Sequence, residues 1–149
     1  MSECIFCAVV RELTKGDVYR GPSGGVYRKV RDLPVSVAIL GHDQFYRGYT
    51  VVIARTHATE LYHLETKELA QYLSDMVDVA RAIERAFQPR KMNYECLGNT
   101  VAHLHWHLFP RYADDPNPRR PTWEHSHQPP VVTDADAAAT IAAIRRHIG

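Results

Sequence analysis

The sequence predicts an α+β domain. Three observations carry this: short apolar runs set off by glycine or proline, one long stretch with helical periodicity, and two further strand-like runs after it. At 149 residues the chain has the length of one domain and enough material to bury a core. A hydrophobic fraction of 45% with 23% charged residues excludes wholesale disorder and fibrous classes. We therefore expect a single domain over 1–149, with a core over 1–111 and a Pro-rich tail and terminal helix over 112–149.

Residues 5–12 suit a first short helix or turn. Gly24-Gly25 then announces strands over Val26 to Val30, over Val35 to Leu40 after Pro34, and over Tyr49 to Ala54 after Gly48. The clearest helix follows. Leu69, Tyr72, Leu73, Met76, Ala80, Ile83 and Phe87 recur at steps of three and four, and Pro89 lies just beyond. Lys67, Glu68, Asp75, Asp78, Arg81, Glu84 and Arg85 form its other face, expected to be solvated. Two strands over 91–96 and 101–109 flank Gly98-Asn99. Six prolines between Pro110 and Pro130 forbid long regular structure there. Thr133, with Asp136 three residues on, then reads as a capping box opening an alanine-rich terminal helix.

Charge excludes some functions. Eighteen Lys+Arg against 17 Asp+Glu leave +1, which argues against binding nucleic acid or a membrane surface by bulk attraction. No apolar run approaches the roughly 18 residues of a membrane span. The opening MSECIFCAVV is acidic where a secretory signal is basic, so a soluble, cytoplasmic protein is expected.

Three cysteines cannot build a disulfide framework, and two stand as Cys4-x-x-Cys7. In a reducing compartment this spacing fits half of a metal site, to be completed by histidines, or a redox pair. A redox pair expects a preceding strand, and none precedes Cys4. Two half-buried free thiols are the third reading.

The informative segment is Val101-Ala102-His103-Leu104-His105-Trp106-His107-Leu108-Phe109-Pro110-Arg111. In a strand, His103, His105 and His107 share one face, roughly 6.6 Å apart, while Leu104, Trp106 and Leu108 take the other. Imidazole titrates near neutral pH, so such a row suits metal ligation or nucleophilic and acid–base work.

This row, ending in Pro-Arg and reached through Gly98-Asn99-Thr100-Val101, resembles the histidine triad (HIT) family of nucleotide hydrolases and transferases. Cys4-Ile5-Phe6-Cys7 is similar to the opening of its zinc-containing members, and the Gly48 to His57 segment resembles the stretch from the family's glycine through its aliphatic run to a histidine. The likeness covers roughly residues 4–111 in order, and residues 110–123 look like a diadenosine-polyphosphate-hydrolase-like branch. It implies an antiparallel sheet packed with one long helix and a short N-terminal helix.

The resemblance also implies roles. His105 is the nucleophile that attacks an α-phosphorus and forms a nucleotidyl-histidine, which water resolves. His107 holds and polarises His105 or contacts phosphate, and Asn99 and Thr100 bind phosphate oxygens. Asn99 stands where most members have Gln. Cys4, Cys7, His57 and His103 bind a structural zinc, closing a tetrahedron without an open position. Ile5, Phe6 and Val9 line the base pocket. Gly41 stands where an acid usually holds the ribose, with Asp43 two residues on, and Tyr49 replaces a frequent histidine. A nucleotide substrate and a homodimer are the partners implied. His42, His63, His125, His127 and His147 have no comparable support and read as ordinary polar positions.

The expected substrates are dinucleoside polyphosphates or nucleoside phosphoramidates. Two alternatives stay open: a metal-dependent hydrolase using the histidine row as ligands, and a zinc-stabilised nucleotide-binding module without turnover. Arg111 suits either anion binding or a solvated strand end.

Overall fold

A computed structural model of the chain describes residues 3–149. Its strands are β1 (Val18–Arg20), β2 (Val26–Asp32), β3 (Ser36–Leu40), β4 (Thr50–Ala54), β5 (Lys91–Glu95) and β6 (His105–Arg111). The helices are α1 (Ile5–Leu13), α2 (Thr66–Phe87) and α3 (Asp134–Arg145), with 3₁₀ turns at Leu61–His63 and Thr122–Glu124. The strands form one sheet in the order β1-β2-β3-β4-β6-β5, every neighbouring pair antiparallel. This is the α+β architecture expected from the sequence.

The sheet divides two apolar layers. Against one face pack α2, through Tyr72, Met76, Val79 and Ile83, and α3, through Ala137, Ile141 and Ile144. The Tyr72 hydroxyl finds the Val52 carbonyl at 2.9 Å, so a large ring is buried without stranding its polar end. Against the other face packs α1, whose Val9 and Leu13 meet Val37, Ile39, Val51 and Ile53. Both faces of β3 and β4 are thus covered, and every residue in them is buried. Continuous apolar runs, rather than alternation, follow from that burial.

Several sequence expectations need correction. The strand expected over 101–109 begins only at His105, and residues 101–104 form a bend held by Leu104 N–H on the Ala58 carbonyl at 2.7 Å. The strand also runs through Pro110: pairing with β4 ends at Leu108, so the missing N–H breaks no bond on that side. The short β1 has no counterpart in the expected elements; it pairs with β2 and stacks Tyr19 on Tyr27, ring centroids 5.8 Å apart. Asp75 is not on a solvated face. It is 1% exposed and accepts from Ser36 Oγ at 2.7 Å, Val35 N–H at 3.1 Å and Gln71 Nε2 at 2.9 Å, tying α2 to the start of β3. Leu73, counted with the apolar stripe, faces outward instead, as does Val77.

The terminal helix starts as expected. Asp136 N–H donates to Thr133 Oγ1 at 3.1 Å and Thr133 N–H to the Asp136 carboxylate at 3.1 Å, closing the capping box. Arg111 is the other surprise. Rather than meeting solvent, it is 4% exposed and anchors the irregular tail. Its guanidinium pairs with Asp115 and donates to Asn93 Oδ1 at 2.6 Å, the Asn117 carbonyl at 2.6 Å and the Arg120 carbonyl at 2.8 Å.

Candidate functional site

Two groups of side chains meet where α1 crosses the start of β6. The first contains Cys4 at the N-cap of α1, Cys7 in its first turns, His57 after β4 and His103 in the bend before β6. Their ligand atoms all lie within 4.8 Å of one another. Cys4 Sγ is 3.5 Å from His103 Nδ1, Cys7 Sγ is 3.3 Å from His57 Nδ1, and the two Nδ1 atoms are 3.2 Å apart. His103 Nε2 faces the Ala54 carbonyl at 2.8 Å. A carbonyl only accepts, so Nε2 carries the proton and the Nδ1 lone pair points at the thiols. Four soft or borderline donors converging on one point fit a tetrahedral metal ion. Burial, with Cys4 beside it, pushes the Cys7 thiol up. Because the bend detaches His103 from the strand, its ring is free to turn away from the other two histidines.

The second group is His105 and His107 on β6. Their rings are 4.7 Å apart between centroids and nearly perpendicular. His105 Nδ1 lies 2.6 Å from the His103 carbonyl, so the proton sits on Nδ1 and Nε2 keeps its lone pair. The Phe6 ring packs edge-on at 4.7 Å, and the imidazole is 6% exposed. It borders a cavity of about 200 Å³ shared with Glu60, Tyr62 and Cys96. Burial lowers its pKa, keeping the ring neutral, although the His103 carbonyl works the other way. His107 Nδ1 meets the Tyr49 hydroxyl at 2.5 Å, and burial, with His105 beside it, pushes its pKa down to about 4. Burial raises the Tyr49 phenol, so it keeps its proton.

Tyr49 also explains Gly41. A Cβ at residue 41 would fall 2.2 Å from the Tyr49 ring, so no side chain fits there while the tyrosine is present. Asp43 points elsewhere: one carboxylate oxygen accepts from Phe45 N–H at 3.1 Å, and the other lies 2.5 Å from His127 Nε2 of the tail. Of the expected base-pocket residues, Ile5 and Phe6 are half-buried near the histidines, but Val9 is fully buried with Leu13 and is closed to a ligand. Asn99 and Thr100 are exposed in the loop after Gly98 and line neither cavity bordering His105 and His107. His127, which reads as an ordinary polar position in the sequence, instead reaches the Asp43 carboxylate. No local pattern announces that contact, because tail and loop meet across 84 residues of chain.

Comparison with known proteins agrees with this arrangement. Residues 27–114 match the family model described as HIT domain. The chain belongs to the HIT family. Among HIT relatives, "Protein hit" of Bacillus subtilis is 34% identical over 115 residues, covering 74% of this chain and 72% of the relative. An adenosine 5'-monophosphoramidase of Schizosaccharomyces pombe is 27% identical over 115 residues, 72% of this chain and 74% of that protein. A histidine triad protein from Bradyrhizobium japonicum superposes with a TM-score of 0.73 at 28% identity, covering 83% of this chain and 91% of the other. The HIT fold is thus shared, and the family includes hydrolases of the phosphoramidase kind.

Proposed function

We propose that this HIT protein is a nucleotide hydrolase or transferase that cleaves at an α-phosphate through a nucleotidyl-histidine on His105. The observation that carries the reading is the fixed tautomer: Nδ1–H on the His103 carbonyl leaves the lone pair of a neutral ring on Nε2, in a residue that borders a cavity. As the Nε2–P bond forms, the bond to the leaving group breaks. Nδ1 keeps its proton, so the intermediate is an imidazolium-type phosphoramidate open to attack by water. With the Tyr49 hydroxyl donating to Nδ1 of His107, His107 Nε2–H is a donor for a phosphoryl oxygen. Asn99 and Thr100 join this work by closing of their exposed loop over bound phosphate. Ile5 and Phe6 supply the apolar contact for the base.

The Cys4, Cys7, His57 and His103 set fits zinc, which supplies a structural tie between the N-terminal helix and the bend before β6. His103 turns its Nδ1 lone pair to the thiols, whereas His105 commits Nδ1 to the His103 carbonyl and stands outside the Cys4, Cys7, His57 and His103 cluster, which favours the nucleophile reading over shared metal ligation. Exposed Leu73 and Val77 on α2 suit contact with a second copy, in keeping with a homodimer.

The test is a panel of nucleoside phosphoramidates and dinucleoside polyphosphates offered to wild type and His105→Asn, with mass spectrometry of quenched wild-type reactions. We expect a protein adduct equal to one nucleoside monophosphate, absent from His105→Asn, with metal content unchanged. A wild type that binds nucleotides but never turns them over leaves only a binding module. Loss of metal together with activity in His105→Asn points to a metal hydrolase.

A further inference from the structure

Between β1, β2 and α3, across the sheet from α1 and the histidine pair, lies a cavity of about 320 Å³. Alternation along β1 builds one side of it. Tyr19 turns to the α1 layer and stacks on Tyr27, while Val18 and Arg20 take the other face and line the cavity. Arg28, paired across the strands with Val18, lines it too. Ala138, Ile141 and Ala142 of α3 supply an apolar wall. Nothing in the reaction above uses this space.

The charges around that wall are unequal. At one end Lys29 pairs with Asp17 at 3.3 Å and Asp32 at 2.8 Å, and Arg145 pairs with Asp17 at 3.1 Å, so two cations meet two carboxylates. Arg145 also donates to the Val30 carbonyl at 2.7 Å and the Lys29 carbonyl at 2.9 Å, which makes it part of the frame. At the other end two arginines share one carboxylate. Arg28 pairs with Asp134 at 2.5 Å, and Arg20 acts on the same group through its charge. The Arg28 hydrogen bond and charge, with Arg20 adding to them, hold Asp134 below the usual carboxylate range. Asp134 is exposed and hydrated, so it answers the two guanidinium groups only weakly. One positive charge is left over beside an apolar surface.

This combination defines a ligand class. A cation would be repelled by Arg20 and Arg28, and a neutral apolar body would leave the excess charge unanswered. A single carboxylate matches that charge, and the planar guanidinium fork receives it through parallel N–H donors. The volume, at the small end for ligand pockets, suits one ring and a short arm.

We propose that this cavity binds a small organic monocarboxylate, with the carboxylate on Arg20 and Arg28 and the apolar body along Val18, Ala138, Ile141 and Ala142. The site is independent of His105 and of the reaction proposed for it.

The test uses the full chain, isotopically labelled, titrated with 3-phenylpropionate, 3-phenylpropanol and 3-phenylpropylamine. The readout is the backbone amide resonances of Val18, Ala138 and Ala142. The carboxylate is expected to saturate their shifts in the millimolar range, about fivefold tighter than the alcohol and at least about tenfold tighter than the amine. Arg20→Gln, at an exposed position, is expected to bring the carboxylate to the level of the alcohol. Asp134→Asn takes away the competing carboxylate and is expected to tighten 3-phenylpropionate about threefold, whereas a groove held in shape by the Arg28–Asp134 pair would lose affinity. No shift at these amides, shifts confined to residues around His107, equal affinity for all three compounds, a carboxylate preference intact in Arg20→Gln, or weaker binding in a folded Asp134→Asn overturns the proposal. So does a molecular mass that rises with protein concentration while the same amides shift without ligand, which gives the groove to a second copy. The wild-type comparison stands even if a variant fails to fold.

Discussion

Replacing Arg111 by methionine tests how the tail is held. The guanidinium and the Asp115 carboxylate are 5% and 2% exposed, so their pairing is desolvated. Burial alone would raise Asp115, but the Arg111 hydrogen bond and charge, with Asn117 N–H, hold it below the usual carboxylate range. Methionine fills the space of the stem and leaves that carboxylate with only the Asn117 N–H at 2.8 Å, while Asn93 Oδ1 and two carbonyls lose their donor. Breaking a buried pair from one side costs about 3–5 kcal/mol. The chain has a cheaper escape, because the segment from Tyr112 to Thr122 can detach and return Asp115 to water. The loss is therefore expected as local opening, with the detached population rising about a hundredfold or more. Hydrogen exchange resolved by residue reads this directly: tail amides lose protection while α2 keeps it. Arg111→Met/Asp115→Leu is expected to recover at least about 2 kcal/mol, since no charge is then stranded. Unchanged tail exchange in Arg111→Met, or a double variant no better than the single, would refute the argument.

Other outcomes follow from the same geometry. Asp75→Ala strands the Ser36 hydroxyl, the Val35 N–H and Gln71, and is expected to lower stability by about 2–4 kcal/mol in denaturant unfolding; a change below about 1 kcal/mol contradicts its role as a tie. The His107 ring has a folded pKa of about 4 against an ordinary 6.5, so its contribution to stability is complete above pH 6.5 and disappears as pH falls through 4. Its ring-proton NMR resonance should stay flat from pH 8 to about 5, and an inflection near 6.5 contradicts that burial. Metal analysis of purified protein is expected to give about one zinc per chain, and Cys7→Ser to lower that content with weaker attachment of α1; metal-free protein with reactive thiols counts against the site.

Much of the architecture was legible because it rests on periodicity. The repeat from Leu69 to Phe87 marks α2, and the Thr133–Asp136 pair marks the start of α3 down to its hydrogen bonds. The Cys4, Cys7, His57 and His103 grouping was implied by family resemblance, and the structure brings those atoms together. What escaped depends on contacts that sequence does not index. Asp75 looks like any helix carboxylate until Ser36 and the Val35 N–H arrive from a strand some 40 residues away. Residues His103 to His107 alternate like a strand, yet the Ala58 and Val101 carbonyls draw the first part into a bend. In the tail, prolines mask an ordered path that a buried arginine defines from outside the segment.

Gly41 and Tyr49 occupy a single volume between them. An aspartate introduced at 41 collides with the phenol ring, whereas trimming residue 49 first merely opens a hole, which 41 can then fill. Any lineage or engineer converting this corner into one with a carboxylate must change the tyrosine before the glycine. That intermediate also gives up the hydroxyl holding His107, so the path between the two designs passes through a handicapped ancestor.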